Sequence, residues 1–413
     1  MARVPSRAGR RRLGAAAAMA CALLATACTS GGDARTAQPG PSGDGVLRIG
    51  LLLDSTGGSA YLNEAQHAAV LAAVQEANSA GGHAGAPIEL IDPEPSEDTA
   101  EAARRLVDAG ADVVIGPTDS SRAPAAIDVL SRAHVPLISP ANESAQLSSY
   151  PSSGYYFRTA APETAAGAAL VELARSSGAA SVAVLHQEGE RSGAIAQGAA
   201  AALGAAGLED AGSAEFSGHD AGPAALAASG ADAVVVIAEA DQQAVVAQLA
   251  DAGVRGERLV LSEGLVRRYG TGIASRALEG ARAAVPGVFP SPDFQAAVLE
   301  QDEDLTDMAF AAEAYDAAAL AVLAAGEAAD DGGASIAAKL TAVSGGAGGD
   351  RQACTFVTQC LAQQEEGKAV DYQGQSGPIA FDAHGDITQA EFMVLRFGPD
   401  NDPAQAGRVA VAR

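Results

Sequence analysis

Two short polar stretches carry the side chains that are best suited to bind a small molecule. Residues 118–121 read TDSS and follow the apolar run 112–115, and residues 139–143 read SPANE and follow the apolar run 135–138. Each pattern predicts a strand that ends in a turn, and the first turn continues into a helix capped by Ser and Asp oxygens. Because a helix N-terminus carries unpaired N–H groups and a positive dipole end, it would stabilise a ligand carboxylate.

The two turns are predicted to form one polar cup. Parallel strands of an open α/β sheet end at the same edge, and ligands bind there. The cup would offer the hydroxyls of Ser120 and Ser121 and, beside them, Ala141, Asn142 and Glu143. Ser and Asp at a helix start are also common capping residues, so capping alone remains an alternative for the first turn. Two such turns in succession favour a binding site.

Strand-like and helix-like segments alternate over most of the chain. The alternation runs from residue 46 to about residue 159 and starts again at residue 162. It predicts an α/β fold of two doubly wound, Rossmann-like lobes with parallel sheets. Beyond the second lobe we predict helices over 308–328 and 334–343, and a hairpin whose strands 377–381 and 391–397 flank the turn 384–386.

The chain is acidic. Its 413 residues carry a formal net charge of −25, and 48% of them are hydrophobic, which supports two domain cores. An acidic surface repels nucleic acid and anionic lipid. Nucleic-acid binding is therefore not expected, and association with a membrane would need an anchor.

The first residues have the features of an export signal. Five arginines within residues 1–12 precede the apolar run 13–27, which is too short to be a dependable membrane span. The run ends in LATAC, which resembles the lipobox of bacterial lipoproteins and implies lipidation of Cys28 at the outer face of the bacterial cytoplasmic membrane. An ordinary signal peptide with an incidental cysteine is the alternative. The Gly-, Ser- and Pro-rich residues 29–45 are predicted to form a flexible tether.

Cys354 and Cys360 are close in sequence, within CTFVTQC. In an exported chain this spacing favours a local disulfide, and no further ligands with suitable spacing support a metal site. The six histidines are scattered, and neither HExxH nor GxSxG is present. We therefore expect neither an enzyme nor a cofactor.

Seven stretches together carry a family resemblance: IGLLLDSTG, EANSAGG, AARRLVDAGADVVIGP, VPLISPA, YYFRTA, LSEGL and SGPIAFDAHGD. The chain from residue 46 to about residue 396 resembles the branched-chain amino-acid-binding family of ABC-transporter solute-binding proteins, which has the type I periplasmic binding fold. The resemblance implies two lobes joined by three crossovers, near 159–162, near 286–290 and after 345. The ligand would lie in the cleft, which closes by hinge bending.

The resemblance also implies domain boundaries. The expected units are a signal peptide (1–27), a lipidated Cys with a tether (28–45), lobe 1 (46–160 and 290–345), lobe 2 (161–289 and 372–413) and a disulfide-containing connection (346–371).

Ligand contacts follow by position from the resemblance. Ser120 would bind the ligand carboxylate, Ala141 would contribute a backbone group, and Glu263 would pair with the ligand ammonium. Glu163 aligns with a further acid at the cleft edge. These contacts imply a zwitterionic ligand.

At four positions the sequence departs from the family pattern or leaves a role open. Glu143 replaces a Thr, while Arg191 and Glu239 stand where aromatic residues are expected. A polar or cationic amino acid, an amide or an amine is then as well supported as a plain aliphatic one, because buried acids need a cationic partner. Alternatively, Glu143 and Arg191 pair across the cleft, and Glu239 points to solvent. Tyr61 would either stack on the ligand or pack within lobe 1.

The sequence thus predicts a monomeric, lipid-anchored lipoprotein that captures an amino acid or a related small polar solute. Its partners would be an ABC permease and its ATPase, and it would need no cofactor. The alternative function is a ligand sensor or interaction lipoprotein of the same fold without a transport role.

Overall fold

Two β-sheets, each covered by helices, organise the molecule. The computed structural model describes residues 1–2, 33–54, 56–93, 96–346 and 348–412. The two sheets contain five and seven strands in this part of the chain, and a third, smaller sheet contains three. The predicted fold of two α/β lobes is confirmed.

The first sheet is parallel throughout and has the strand order β2-β1-β3-β4-β5. Its central strands β3 and β4 are short, apolar and buried along their whole length, as expected when helices cover both faces of a parallel sheet. The strands are β1 (Arg48–Leu51), β2 (Glu89–Ile91), β3 (Val113–Ile115), β4 (Leu137–Ser139) and β5 (Tyr156–Arg158).

The second sheet has the order β15-β14-β10-β9-β8-β6-β7. Strands β6 to β10 run parallel to one another, whereas β14 is antiparallel to both β10 and β15. The strands are β6 (Ser181–Gln187), β7 (Glu209–Phe216), β8 (Ala233–Ile237), β9 (Leu259–Leu261), β10 (Arg282–Pro286), β14 (Gln389–Phe397) and β15 (Pro403–Ala412).

The α-helices connect the strands and cover the sheets. They are α1 (Asn63–Ser79), α2 (Thr99–Asp108), α3 (Ala123–Arg132), α4 (Glu163–Ser176), α5 (Glu190–Ala206), α6 (Gly222–Ala227), α7 (Gln242–Asp251), α8 (Pro292–Leu299), α9 (Ala311–Ala328), α10 (Gly333–Val343) and α11 (Val357–Glu365). No helix in the described part of the chain combines the length and the apolar character that a membrane span requires.

After β10 the chain leaves the second sheet and returns to the first lobe. Helix α9 packs on α1, α10, β3 and β4, and it is buried from Ala311 to Ala325. Its many alanines permit this close packing because they add little volume between neighbouring elements. The third sheet, formed by β11 (Gln352–Cys354), β12 (Val370–Gly374) and β13 (Gly377–Pro378), follows α10. Cys354 and Cys360 are joined there, with their Cα atoms 5.4 Å apart.

The predicted hairpin between 377–381 and 391–397 is wrong. Strand β13 pairs with β12, and only the single bridge between Phe381 and Ile387 links the two sides of the turn 384–386. Strand β14 instead pairs with β10 on one side and with β15 on the other. Burial of alternate residues along β14 explains the choice, because its apolar face completes the core of the second sheet.

The predicted flexible tether is also wrong over its described part, residues 33–45. Ala34 is buried, and the Arg35 guanidinium donates to the carbonyl oxygens of Tyr156 at 2.5 Å and His384 at 2.7 Å. Backbone N–H groups of residues 42–46 donate to the carboxylates of Asp330 and Asp331. The composition of this segment predicted a flexible chain. Two buried carboxylates between α9 and α10 bind its backbone N–H groups instead. The predicted lipidation site Cys28 lies outside the described residues.

Candidate functional site

A cavity of about 750 Å³ lies between the two lobes. This volume falls within the range of small-molecule sites. The first-lobe side of the cavity comes from loops that follow β3 and β4, as the predicted polar cup requires. The described lining residues are Ser59, Tyr61, Leu62, Thr118, Asp119, Ser120, Ala141, Glu143, Glu163, Arg191, Glu239, Glu263, Gly264, Val266, Val285 and Phe310.

The Ser120 hydroxyl is arranged to donate a hydrogen bond. Its oxygen accepts the backbone N–H groups of Glu143 at 3.1 Å and Ser144 at 3.3 Å. A hydroxyl has two acceptor positions and one proton, so a further partner of Ser120 must accept that proton. Asp119 caps the short helix Ser120–Arg122 by accepting the N–H of Ser121. The arrangement suits an acceptor such as a ligand carboxylate or carbonyl.

Two residues predicted for the cup do not line the cavity. Asn142 is fully buried, and its amide nitrogen donates to the carbonyl oxygens of Pro117 and Thr118 at 2.9 and 3.2 Å. It therefore ties the turn after β4 to the turn after β3. Ser121 is exposed, outside the set of lining residues. For Ser121, the capping interpretation describes the contacts better than the binding interpretation does.

Tyr61 lies at the mouth of the cavity. It belongs to the short helix Ala60–Leu62 before α1, and 68% of its surface is exposed. An exposed ring here does not pack within the first lobe, which removes one of the two interpretations of this residue. Its position leaves the ring available to cover a bound solute.

Four glutamates surround the guanidinium of Arg191. Its nitrogens lie 2.6 Å from Glu143, 3.1 Å from Glu263, 3.6 Å from Glu239 and 3.7 Å from Glu163. Glu143 follows β4 of the first sheet, whereas Arg191 lies in the first turn of α5 beside the second sheet. The predicted pairing of Glu143 and Arg191 across the cleft is therefore present in the structure, and Glu239 faces the same guanidinium.

Close packing of α4 on α5 positions two of these side chains. A Cβ at Gly167 would lie 2.1 Å from the Ile195 carbonyl oxygen, and one at Gly198 would lie 2.1 Å from that of Thr164. Only glycine therefore allows the two helices to approach so closely. Glu163 and Arg191 stand in the first turns of these helices, at the same end of the pair. A second contact across the cleft, from Gln146 to Glu190 at 2.7 Å, lies nearby.

The crowded acids alter one another's titration. Removal from bulk water inside the cleft raises the pKa of Glu263, and repulsion from Glu143 raises it further. Burial likewise raises the pKa values of Glu163 and Glu239, against the attraction of Arg191. Burial alone would lower the pKa of Arg191, but the attraction of the surrounding glutamates raises it above its ordinary value. The site is thus short of positive charge.

Several lining residues were not predicted from the sequence. Val285 is the second-last residue of β10, and Phe310 precedes α9 with a left-handed φ of 60°. Both come from segments far from the polar stretches in sequence, and neither has a motif that marks it. They supply apolar surface to the cavity, together with Leu62 and Val266. Among the described residues, no group of His, Cys, Asp and Glu side chains has an arrangement that could hold a metal ion.

A family model described as periplasmic binding protein matches residues 46–357, which is most of the chain. The chain belongs to the periplasmic binding protein family. A search of curated proteins finds no match to this periplasmic binding protein.

Solved structures of several solute-binding proteins share the fold. A branched-chain amino acid ABC transporter periplasmic ligand-binding protein of Burkholderia xenovorans is 16% identical with a TM-score of 0.65, covering 88% of this chain and 95% of that one. The substrate-binding protein LivJ of Streptococcus pneumoniae, solved with isoleucine, is 19% identical with a TM-score of 0.58, covering 89% and 100%. A solute-binding protein of R. palustris, solved with benzoate, is 17% identical with a TM-score of 0.58, covering 89% and 98%. At these identities the similarity establishes the type I fold of this periplasmic binding protein and leaves its ligand open.

Proposed function

We propose that this protein is the solute-binding component of an ABC importer, and that it captures an amino acid or a related small polar solute between its lobes. The observation that carries the proposal is the cavity of about 750 Å³, which is lined from both lobes and offers a hydroxyl donor and several carboxylates. Membership of the periplasmic binding protein family supports it. Capture is noncovalent and needs no cofactor.

The proposal places the protein outside the cytoplasmic membrane. Cys28 is the lipid attachment site, residues 1–27 are the signal peptide, and the permease with its ATPase receives the solute from a monomeric binding protein. The charge of −25 supports an attachment by lipid and not by a basic surface.

Within the cleft, Ser120 holds the anionic end of the solute and Glu263 holds a cationic end. Ser120 is suited to this role because its hydroxyl must act as a donor. Glu263 is suited because 45% of its side chain remains exposed in the cleft, where a ligand can reach it. Ala141 lines the same cavity and contributes backbone surface.

The first experiment is a thermal-shift screen of the chain from residue 29 onward against amino acids, amines, amides and short peptides, with mass spectrometry of any co-purified solute. This form keeps residues 33–46, which pack against the folded part of the protein. A captured solute stabilises the native state by mass action and raises Tm. If no solute raises Tm and none co-purifies, the proposed function is wrong.

Glu263→Ala tests the placement of the ligand. Because a charged hydrogen bond is lost, we expect affinity for the identified solute to fall about 10-fold or more. Glu303→Ala, an exposed acid that does not line the cavity, is the control and should bind as the parent protein does. Unchanged affinity of the Glu263 variant would contradict the assignment.

A further inference from the structure

The cleft holds too few positive charges for its acids. One guanidinium, that of Arg191, serves the carboxylates of Glu143, Glu163, Glu239 and Glu263, so the ionised cluster carries 1 − 4 = −3. Carboxylates that share a partly desolvated site repel one another unless a cation lies between them. A solute that adds positive charge is therefore favoured over one that does not.

Arg191 occupies the position that such a solute would need. Its guanidinium lies among all four carboxylates and reaches from the second lobe to Glu143 of the first, at 2.6 Å. The side chain is 30% exposed, so water and solutes reach it. An ion pair that water reaches costs less to open than one that is fully buried. A cationic solute could therefore replace the Arg191 guanidinium at the same four carboxylates.

The apolar residues that line the cavity indicate which kind of chain connects the cationic groups of the solute. Leu62, Val266, Val285 and Phe310 add apolar side chains to a cavity of about 750 Å³. Apolar surface of this kind suits a short alkyl chain, whereas the acids suit ammonium or guanidinium groups. Ser120 remains available for a carboxylate if the solute has one.

We propose that the cleft takes a solute with two cationic groups on a short alkyl chain, such as a basic amino acid or its decarboxylated amine, and that Arg191 is a built-in competitor. In the empty cleft the guanidinium of Arg191 holds the four glutamates, and the solute displaces it on binding. This inference rests on the proposed solute-binding function and narrows it to a ligand class.

Neutral and anionic solutes fit the same geometry poorly. An aliphatic amino acid gains no more at Ser120 than a basic amino acid does, because both place the same carboxylate there. Its single ammonium would leave most of the cluster without a partner. An aromatic acid would bring a further negative charge and could pair only with Arg191.

Isothermal titration of the chain from residue 29 onward tests the ligand class. The probes are L-arginine, L-lysine, agmatine and cadaverine, with L-leucine, L-glutamate and benzoate for comparison. We expect at least one of the first four probes, which each have two cationic groups and are called dicationic in that sense, to bind about 100-fold more tightly than leucine, glutamate and benzoate. Tighter binding of a neutral or anionic probe would overturn the inference and leave the proposed function intact. Binding by no probe, with no co-purified solute, would contradict both.

Arg191→Met tests the competitor. It removes the guanidinium and keeps an unbranched side chain, so the dicationic probe should bind about 10-fold more tightly or better. Arg268→Met, an exposed arginine that does not line the cavity, is the matched control and should leave the affinity unchanged. Weaker binding by Arg191→Met would show that Arg191 contacts the solute directly, which overturns the competitor role. If this variant does not fold, the selectivity of the parent protein still decides the ligand class.

Discussion

Two arginines, Arg158 and Arg191, bind acids in different ways. Arg158 is fully buried at the end of β5, and its Nε donates to Asp386 at 2.6 Å. Its other nitrogens donate to the carbonyl oxygens of Asn142 and Ser144 and to the hydroxyl of Ser148. One positive charge meets one negative charge, and three neighbouring oxygens accept further N–H groups of the guanidinium.

Arg191 differs in both balance and exposure. Four carboxylates compete for its one charge, and 30% of its side chain is exposed. A balanced pair without water is difficult to open, because either partner alone would be an uncompensated buried charge. An unbalanced pair in contact with water can exchange partners. The comparison indicates that Arg158 stabilises the structure around the cleft. It is consistent with the proposed role of Arg191 in solute binding.

The largest expected effect comes from breaking the Arg158 pair. Asp386→Asn keeps the shape of the side chain but leaves the buried guanidinium without a counter-charge. We expect the free energy of unfolding to fall by about 3 to 5 kcal/mol, measured by urea denaturation. Arg191→Met is the matched comparison, and it should lower stability by less than Asp386→Asn does, because water reaches the carboxylates left behind and they can take up protons. Equal losses in the two variants would remove the distinction between the two arginines.

A buried acid behind the cleft gives a second, pH-dependent effect. Glu313 in α9 is 7% exposed, and burial raises its pKa from 4.5 to about 8, with further increases from Asp316 and Glu143. The folded state therefore binds more protons than the unfolded state between these values, so stability falls as pH rises from about 5 to 8.5. The raised pKa values of Asp112, about 7, and Asp316, about 6, act in the same direction.

Glu313→Gln removes the group that titrates. We expect the variant to lose part of the pH dependence and to be more stable than the parent at pH 8.5, by on the order of 3 kcal/mol. Urea midpoints at pH 5, 6, 7 and 8.5 measure the slope. The same substitution should have little effect at pH 5, where Glu313 is neutral in the folded state. An unchanged slope would show that Glu313 stays ionised.

The smallest expected effect concerns a third arginine, which is intermediate between the other two. Arg35 donates to the carbonyl oxygens of Tyr156 and His384 and lies over the Phe157 ring at 4.9 Å. Its carboxylate partner among the described residues is the half-exposed Asp33, at 3.1 Å, so Arg35→Ala should lower the free energy of unfolding by about 1 to 2 kcal/mol. Thermal unfolding measures the change, with exposed Arg268→Ala as the control. A loss as large as that of Asp386→Asn would contradict this order.

The sequence predicted the alternation of strands and helices because periodicity is a local property. It also predicted the cup, since Ser120 and Glu143 follow neighbouring strands. The sequence analysis was wrong where the contacts of a residue lie far away in the sequence. Asn142 has the chemistry of a ligand-binding amide, but the carbonyl oxygens of Pro117 and Thr118 use its donors. The turn 384–386 resembled a hairpin turn, but its neighbours are Arg158 and Arg35, which no local pattern reveals.

With the proposed lipid on Cys28, the docking of residues 33–46 would limit how far the protein can lie from the membrane. A lipid on Cys28 would be separated from Asp33 by 33 − 28 = 5 residues. At full extension these span at most about 18 Å. A tether that was free to residue 46 would reach several times farther. The body would then stay close to the bilayer and meet its permease by lateral diffusion along the surface.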